Sequence, residues 1–117
     1  METVPVDVAG EITPGAPLHP SDEVFLCPAD AIEPDSELVY RFLVDVGEIA
    51  TGDYVVAEPR DCAHTGELVV VRDGENVYVG RWWGKHGLAE VRSIDGTTLV
   101  ESPVVLASIN QILRVGR

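Results

Sequence analysis

Basic residues are scarce in this chain. Eight lysines and arginines stand against 20 aspartates and glutamates, a formal net charge of −12, so the surface field repels phosphate backbones. We therefore expect no direct binding of DNA or RNA by this chain alone. Residues 1–58 carry the whole imbalance, with 13 acidic side chains and one basic one, Arg41. An acidic segment of this kind is typical of a solvated protein surface, and it can also present a surface to a basic protein partner.

Cysteine is also rare. The two cysteines, Cys27 and Cys62, are too few for the disulfide framework of a small secreted domain, so we expect free thiols. Together with His19, His64 and His86 they show no C-x-x-C or H-x-x-H spacing, which disfavours a metal site. The sequence predicts neither a metal nor a cofactor.

Long apolar runs are missing. No stretch approaches the roughly 18 apolar residues that a membrane span needs, and residues 1–11 lack the basic start and apolar core of a signal peptide. We expect a cytoplasmic protein without a membrane segment. No helix-turn-helix pattern precedes Val4, so a DNA-binding half, if one exists, would lie upstream of this sequence or on another chain.

Short β-rich runs between turn signals fill most of the sequence and predict a mainly β fold, with less than about a tenth of the residues in helix. Six prolines exclude a long helix from residues 1–34, which predicts an extended N-terminal arm, with short strands at 4–8 and 24–26, before a β domain over 35–117. The expected strands of that domain are 38–46, 54–58, 67–72, 76–83, 88–94, 97–101 and 107–115. Turns at 73–74, 84–87 and 95–96 predict three consecutive hairpins.

Alternation along these strands predicts the core. Trp82 and Trp83 are adjacent on one strand, so their side chains point to opposite faces and at most one of them enters the core. The expected core residues are Phe42, Val44, Val55, Leu68, Val70, Val77, Val79, Val91 and Ile112.

Four segments follow one another in a recognisable order. Residues 4–18, VPVDVAGEITPGAPL, place Gly10, Ile12, Gly15 and Pro17 in a Gly-x-apolar-x-x-Gly-x-Pro frame. Ile49 and the Gly-Asp pair at 52–53 then open one strand, Gly-Glu at 66–67 opens the next, and VVLASINQILRVGR ends the chain. In this order the segments resemble the catalytic domain of the LexA-type self-cleaving repressors and their UmuD relatives.

The resemblance implies a LexA-like β-clip type fold, in which antiparallel hairpins form a small, partly open barrel or sandwich. It implies a role in transcription regulation or the SOS stress response. It also implies a homodimer in which the last strand pairs with its symmetry mate, and an apolar face on that strand needs covering. The interface residues would be Ile109, Ile112, Leu113 and Val115.

The residues that this family uses for cleavage are missing. Its nucleophile is a serine activated by a neutral lysine, but the serine and its neighbours are deleted near Gly47, and Gly80 stands at the place of the lysine. The scissile alanine is replaced by Pro14, before Gly15. Lys85, the single lysine of the sequence, falls in a turn. The resemblance therefore implies vacant catalytic positions and a degenerate cleavage site.

The vacated groove is expected to involve Asp45, Glu48, Tyr78 and Trp82, with one of the two aromatic side chains filling part of the space that the lysine left. Asp45 and Glu48, with Asp53, could alternatively form a carboxylate pair or a cation site. Loop aspartates before glycine-rich turns, however, usually cap backbone amides.

Three functions remain open at this stage. The first is a non-catalytic LexA-like domain that acts as a dimerisation or regulatory binding module. The second is an active self-cleaving peptidase whose nucleophile has moved to one of the five serines, at positions 21, 36, 93, 102 and 108. The third is a small-molecule-binding β-barrel that shares the Gly-Asp hairpins by chance.

Overall fold

The fold is built from ten strands and one short 3-10 turn, Ala29–Ala31. A computed structural model of the chain describes residues 2–85, 88–93 and 96–114. These residues contain no α-helix, and so no helix that could cross a membrane, which confirms the prediction of a mainly β protein. The strands are β1 (Thr3–Ile12), β2 (Ala16–Pro17), β3 (Val24–Pro28), β4 (Leu38–Phe42), β5 (Tyr54–Pro59), β6 (Leu68–Asp73), β7 (Asn76–Lys85), β8 (Leu88–Arg92), β9 (Thr98–Glu101) and β10 (Val104–Leu113).

All ten strands belong to one open sheet in the order β3-β1-β4-β5-β10-β6-β7-β8-β9, and β2 pairs with β7 beside β8. Strands β6 to β9 form the predicted run of antiparallel neighbours. The first of their turns contains Gly74 at φ 64°, the left-handed conformation that Asp-Gly turns favour. Residues 86–87 and 94–95 of the other two turns lie outside the described residues.

Two pairings depart from a simple series of hairpins. β1 runs parallel to β4, the one parallel pair in the described part of the chain, and the long connection over residues 13–37 makes that direction possible. β10 lies between β5 and β6, which are neighbours along the chain. β1 and β3 also bring residues 3–12 and 24–28 into the sheet, and β1 extends well beyond the predicted strand at 4–8.

Three apolar clusters follow the sheet, one mainly around β4, β5, β6 and β7, one around β1, β3 and β4, and one around β6, β8 and β9. Seven of the nine predicted core residues are buried. The prediction for Val44 is wrong, because β4 ends at Phe42 and Val44 lies in the following loop with 39% of its surface exposed. Ile112 is half-buried at the edge of the first cluster. Trp82 is buried and Trp83 is exposed, as their adjacency predicts.

Glu67, just before β6, connects the β5–β6 loop to β10. Its carboxylate accepts hydrogen bonds from the His64 amide (2.6 Å), from Arg60 Nη1 (2.9 Å) and from the hydroxyl of the buried Ser108 (2.9 Å). The His64 amide is the main reason that the pKa of Glu67 lies below its ordinary value. The loop is thus held by an ionised carboxylate.

The pKa of Glu67 predicts a loss of stability in acid. A carboxyl group whose pKa is lower in the folded state stabilises the fold above its unfolded pKa of about 4.3, and this contribution disappears as pH falls through the folded pKa. We expect the urea midpoint of the wild type to fall more steeply between pH 5 and pH 3 than that of Glu67→Gln. Glu75→Gln, an exposed change in the β6–β7 turn, is the control and should keep the wild-type slope. Equal slopes for all three proteins would contradict the role of Glu67.

Candidate functional site

A cleft of about 270 Å³ opens where the β4–β5 loop meets Pro14, Val79, Ser93 and Leu99. Residues 44–47 of the loop form one wall. The fold thus brings together two segments that the sequence analysis singled out, those in which the resemblance implies a missing nucleophile and a degenerate cleavage site. They lie 30 residues apart in the sequence and meet because β1 pairs with β4.

A tight turn shapes the loop wall of the cleft. Val46 and Ile49 exchange two backbone hydrogen bonds of 2.8 and 2.9 Å, which leaves Gly47 and Glu48 at the tip. Gly47 adopts φ 57°, a conformation that disfavours side chains. Ile49 is fully buried in the first cluster and anchors the turn. The segment between Val44 and Ile49 is therefore a closed turn.

Carboxylates hold the two ends of this loop. Asp45 accepts hydrogen bonds from the Thr51 amide (2.7 Å) and hydroxyl (2.9 Å), and the amide is the main reason that the pKa of Asp45 lies below its ordinary value. Asp53, only 2% exposed, accepts hydrogen bonds from the Ala50 amide (2.9 Å) and from Arg114 Nη2 (2.9 Å). Two of the three acidic residues considered for catalysis are thus bound within the loop and to the end of β10.

Glu48, the third of these carboxylates, points elsewhere. It lies 3.4 Å from Arg81 Nη2 and lines a separate small cavity beside β10. Arg114 Nη2 also donates to the Glu48 carbonyl at 3.3 Å. Asp45 alone among the predicted groove residues lines the cleft.

Pro14 and Gly15 form a turn that docks on β7. The Ala16 amide donates to the Thr13 carbonyl at 3.0 Å, and Gly15 has φ 87°. Proline followed by a glycine with positive φ, closed by this bond, is the signature of a type II turn. The Gly15 amide donates to the Val77 carbonyl at 2.9 Å, and β2 continues the pairing with β7. The segment that resembles a cleavage site is therefore part of the sheet.

The backbone of β8 closes the space above Gly80. A Cβ atom at this position would lie 1.8 Å from the Arg92 carbonyl oxygen and 2.8 Å from the Val91 side chain. We expected Tyr78 or Trp82 to fill this space, but the structure places neither side chain there. Both aromatic side chains pack with the third cluster on the sheet, and the strand after the β7–β8 turn occupies the position of the expected lysine side chain.

Ser93 lines the cleft, although the sequence analysis named it only as one of five serines and did not assign it to this site. Its hydroxyl accepts a hydrogen bond of 3.0 Å from the Thr97 amide, across the turn between β8 and β9. Its position two residues before an Asp-Gly pair indicates a turn-capping serine, but nothing in the local sequence indicates that Ser93 lies on the same cleft as Pro14. The contact depends on pairings that are distant in the sequence.

The residues predicted to form a dimer interface lie on the second half of β10. β6 pairs with Val104–Ser108 only, so in the described part of the chain β10 beyond Ser108 is paired on one side, by β5. Ile109 and Ile112 pack partly on the first cluster, and Leu113 packs on the second. Val115 lies outside the described residues. The proposed interface therefore combines a half-open strand edge with half-buried apolar side chains.

Both thiols are free, Cys27 buried and Cys62 exposed. Burial is the main reason that the pKa of Cys27 lies above its ordinary value. The described residues hold no group of three or more His, Cys, Asp or Glu side chains arranged to bind a metal ion.

A comparison of the sequence with protein-family profiles finds no match, and a comparison with curated proteins finds none either.

Proposed function

We propose that this chain is a non-catalytic binding module with a LexA-like architecture, which acts as a homodimer in transcription regulation or the stress response in the cytoplasm. The observation that carries the proposal is the Arg92 carbonyl oxygen over Gly80. A peptidase of this kind needs an amine at that position to accept the serine proton. No side chain fits there unless β8 moves.

The cleft itself offers little for acyl transfer. Among the described residues, the polar side chains on its lining are Asp45 and Ser93. Asp45 is held by Thr51, and the direction of its pKa shift makes it a weaker base than an ordinary carboxylate. The Ser93 hydroxyl already accepts a hydrogen bond from the Thr97 amide. The apolar remainder of the lining suits packing better than proton transfer.

The docked turn supports a binding role in a second way. In a self-cleaving protein the scissile segment must enter the site in an extended form that the nucleophile can attack. Here residues 13–16 form a closed turn, and Gly15 is bonded to β7. We infer that this segment serves as a fixed wall of the cleft, so that the fold is kept in one state.

An active peptidase with a relocated nucleophile is the second candidate. One observation favours it: Ser93 lines the same cleft as Pro14. In that case Ser93 would attack the Pro14-Gly15 bond, and the activity would depend on a base supplied by a group other than the vacant lysine. This candidate and the non-catalytic module make opposite predictions for one experiment.

Purified protein held for several days at about pH 9.5, where a lysine amine begins to lose its proton, should remain a single species by intact-mass analysis. Sedimentation equilibrium on the same sample at micromolar concentration should give the mass of a dimer. The absence of cleavage is expected from the blocked position at Gly80 and the turn at Pro14-Gly15. The dimer mass is expected from the half-open edge of β10.

The matched variant for this experiment is Ser93→Ala. A pair of fragments cut between Pro14 and Gly15 that appears in the wild type and not in Ser93→Ala would refute the non-catalytic module and support the second candidate. A monomer mass would refute the dimer while leaving the absence of cleavage intact.

A further inference from the structure

β3 forms one outer edge of the sheet. Val8 donates its amide to the Glu23 carbonyl (2.9 Å), and Ala29 donates to the Glu2 carbonyl (3.0 Å). Bonded and non-bonded residue pairs alternate between antiparallel strands, so the amides and carbonyls of Val24 and Leu26 point away from β1. Pro5, which has no amide hydrogen, stands opposite Leu26 at a non-bonded position.

The side chains on this edge are unusually apolar for an exposed strand. Leu26 is 63% exposed and Val24 is 54% exposed, whereas Phe25 and Cys27 between them are buried. Pro5 extends the apolar surface onto β1, and Leu38 continues it next to a shallow depression of about 270 Å³. An open edge with exposed apolar side chains is a template for pairing with another chain.

Acidic side chains surround the edge. Asp7 lies directly across from Val24, Asp22 precedes β3, and Asp30 follows it, all three exposed. None of these three carboxylate side chains forms a hydrogen bond or an ion pair with another residue in the described ranges. No lysine or arginine precedes Arg41 in the sequence. The field at this edge is therefore negative and repels a second copy of the same edge.

We propose that the β3 edge binds an extended segment of a basic protein partner by strand addition. The segment places two apolar side chains beside Val24 and Leu26 and carries lysine or arginine at its two ends, near Asp22 and Asp30. Backbone hydrogen bonds to Val24 and Leu26 supply the pairing, and the charges supply selectivity. The surface lies outside the cleft and shares none of its lining residues, so the inference is independent of the proposed function.

The test uses the synthetic peptide acetyl-KKVTVKK-amide and the isotope-labelled full chain. We expect the peptide to shift the NMR amide signals of Val24 and Leu26 and to slow their hydrogen exchange. The peptide acetyl-EEVTVEE-amide should cause no shift. The peptide acetyl-KKVTPKK-amide keeps the charge but lacks the amide donor of one of the two residues that pair with Val24 and Leu26 in antiparallel addition, and it should bind at least about fivefold more weakly.

Two variants of the protein locate the binding site. Leu26→Lys should weaken binding of the first peptide by at least about fivefold, because it replaces an apolar contact with a repelling charge. Val104→Lys adds the same charge at another exposed apolar position, 52% exposed on β10, and should change the affinity by less than about twofold.

Three outcomes would overturn the inference. Equal affinity for acetyl-KKVTVKK-amide and acetyl-KKVTPKK-amide would mean attraction by net charge without strand addition. Equal weakening of peptide binding by Leu26→Lys and Val104→Lys would also mean attraction by net charge without strand addition. A dimer that Leu26→Lys dissociates without added peptide would show that the edge is covered by a second copy of the chain.

Discussion

Gly80→Ala is expected to lower the free energy of unfolding by about 3 kcal/mol. The added methyl group would lie 1.8 Å from the Arg92 carbonyl oxygen, and a backbone atom cannot move aside as the end of a side chain can. β8 would have to shift, although the fully buried Val91 holds it in the third cluster. The shift would therefore open that cluster as well as the pairing between β7 and β8. Urea denaturation followed by tryptophan fluorescence measures the loss.

Gly84→Ala is the matched control for this prediction. Gly84 lies on the same strand, and an added Cβ would have only ordinary contact with Thr65 Oγ1, at 3.7 Å. Its unfolding free energy should stay within about 1 kcal/mol of the wild type. Gly80→Lys should be at least as damaging as Gly80→Ala and should restore no cleavage. A Gly80→Ala protein as stable as the control would show that β8 does not cover this position.

Asp53→Ala should have the second largest effect, a loss of about 2 kcal/mol. The substitution removes a carboxylate that is only 2% exposed and that accepts bonds from Ala50 and Arg114. These bonds join the start of β5, the end of the cleft loop and the end of β10. Loss of the carboxylate leaves the Ala50 amide without this acceptor and removes the ionic partner of Arg114, whose bond to the Glu48 carbonyl remains. The unfolding free energy from urea titration is the measurement.

Asp45→Ala serves as the comparison, because Asp45 caps Thr51 in the same loop but is exposed. It should shift the urea midpoint by less than half as much as Asp53→Ala. Arg114→Gln should fall between the two, since it removes the donor and leaves the Ala50 bond in place. A larger effect of Asp45→Ala would show that the exposed end of the loop controls its stability.

Local signals predicted much of the antiparallel run from β6 to β9. Alternation identified Leu68, Val70, Val77 and Val79 as core residues, and Asp73-Gly74 located the first hairpin, because strand period and turn conformation both depend on a few neighbouring residues. Val44 shows the limit of this reasoning. It continues an apolar alternation that ends in the fold where the backbone turns away after Phe42.

Long-range pairing accounts for what the sequence could not predict. Gly80 could be read as a position from which a lysine was lost, whereas its neighbour in space, the Arg92 carbonyl, requires glycine there. Pro14 could be read as a block to cleavage, whereas with Gly15 it makes a turn against β7. The two sides of the cleft meet through the parallel pairing of β1 with β4, which no short-range signal indicates.

The insertion of β10 between β5 and β6 affects how this protein is made in the cell. During translation β5 and β6 leave the ribosome together, but they cannot pair with each other without excluding their final neighbour. The centre of the sheet stays incomplete until Leu113 has cleared the exit tunnel, and until then the apolar edges of both strands are exposed. We expect the nascent chain to depend on chaperones for that interval, and folding to be slow for a chain of this length, because its decisive contacts span many residues.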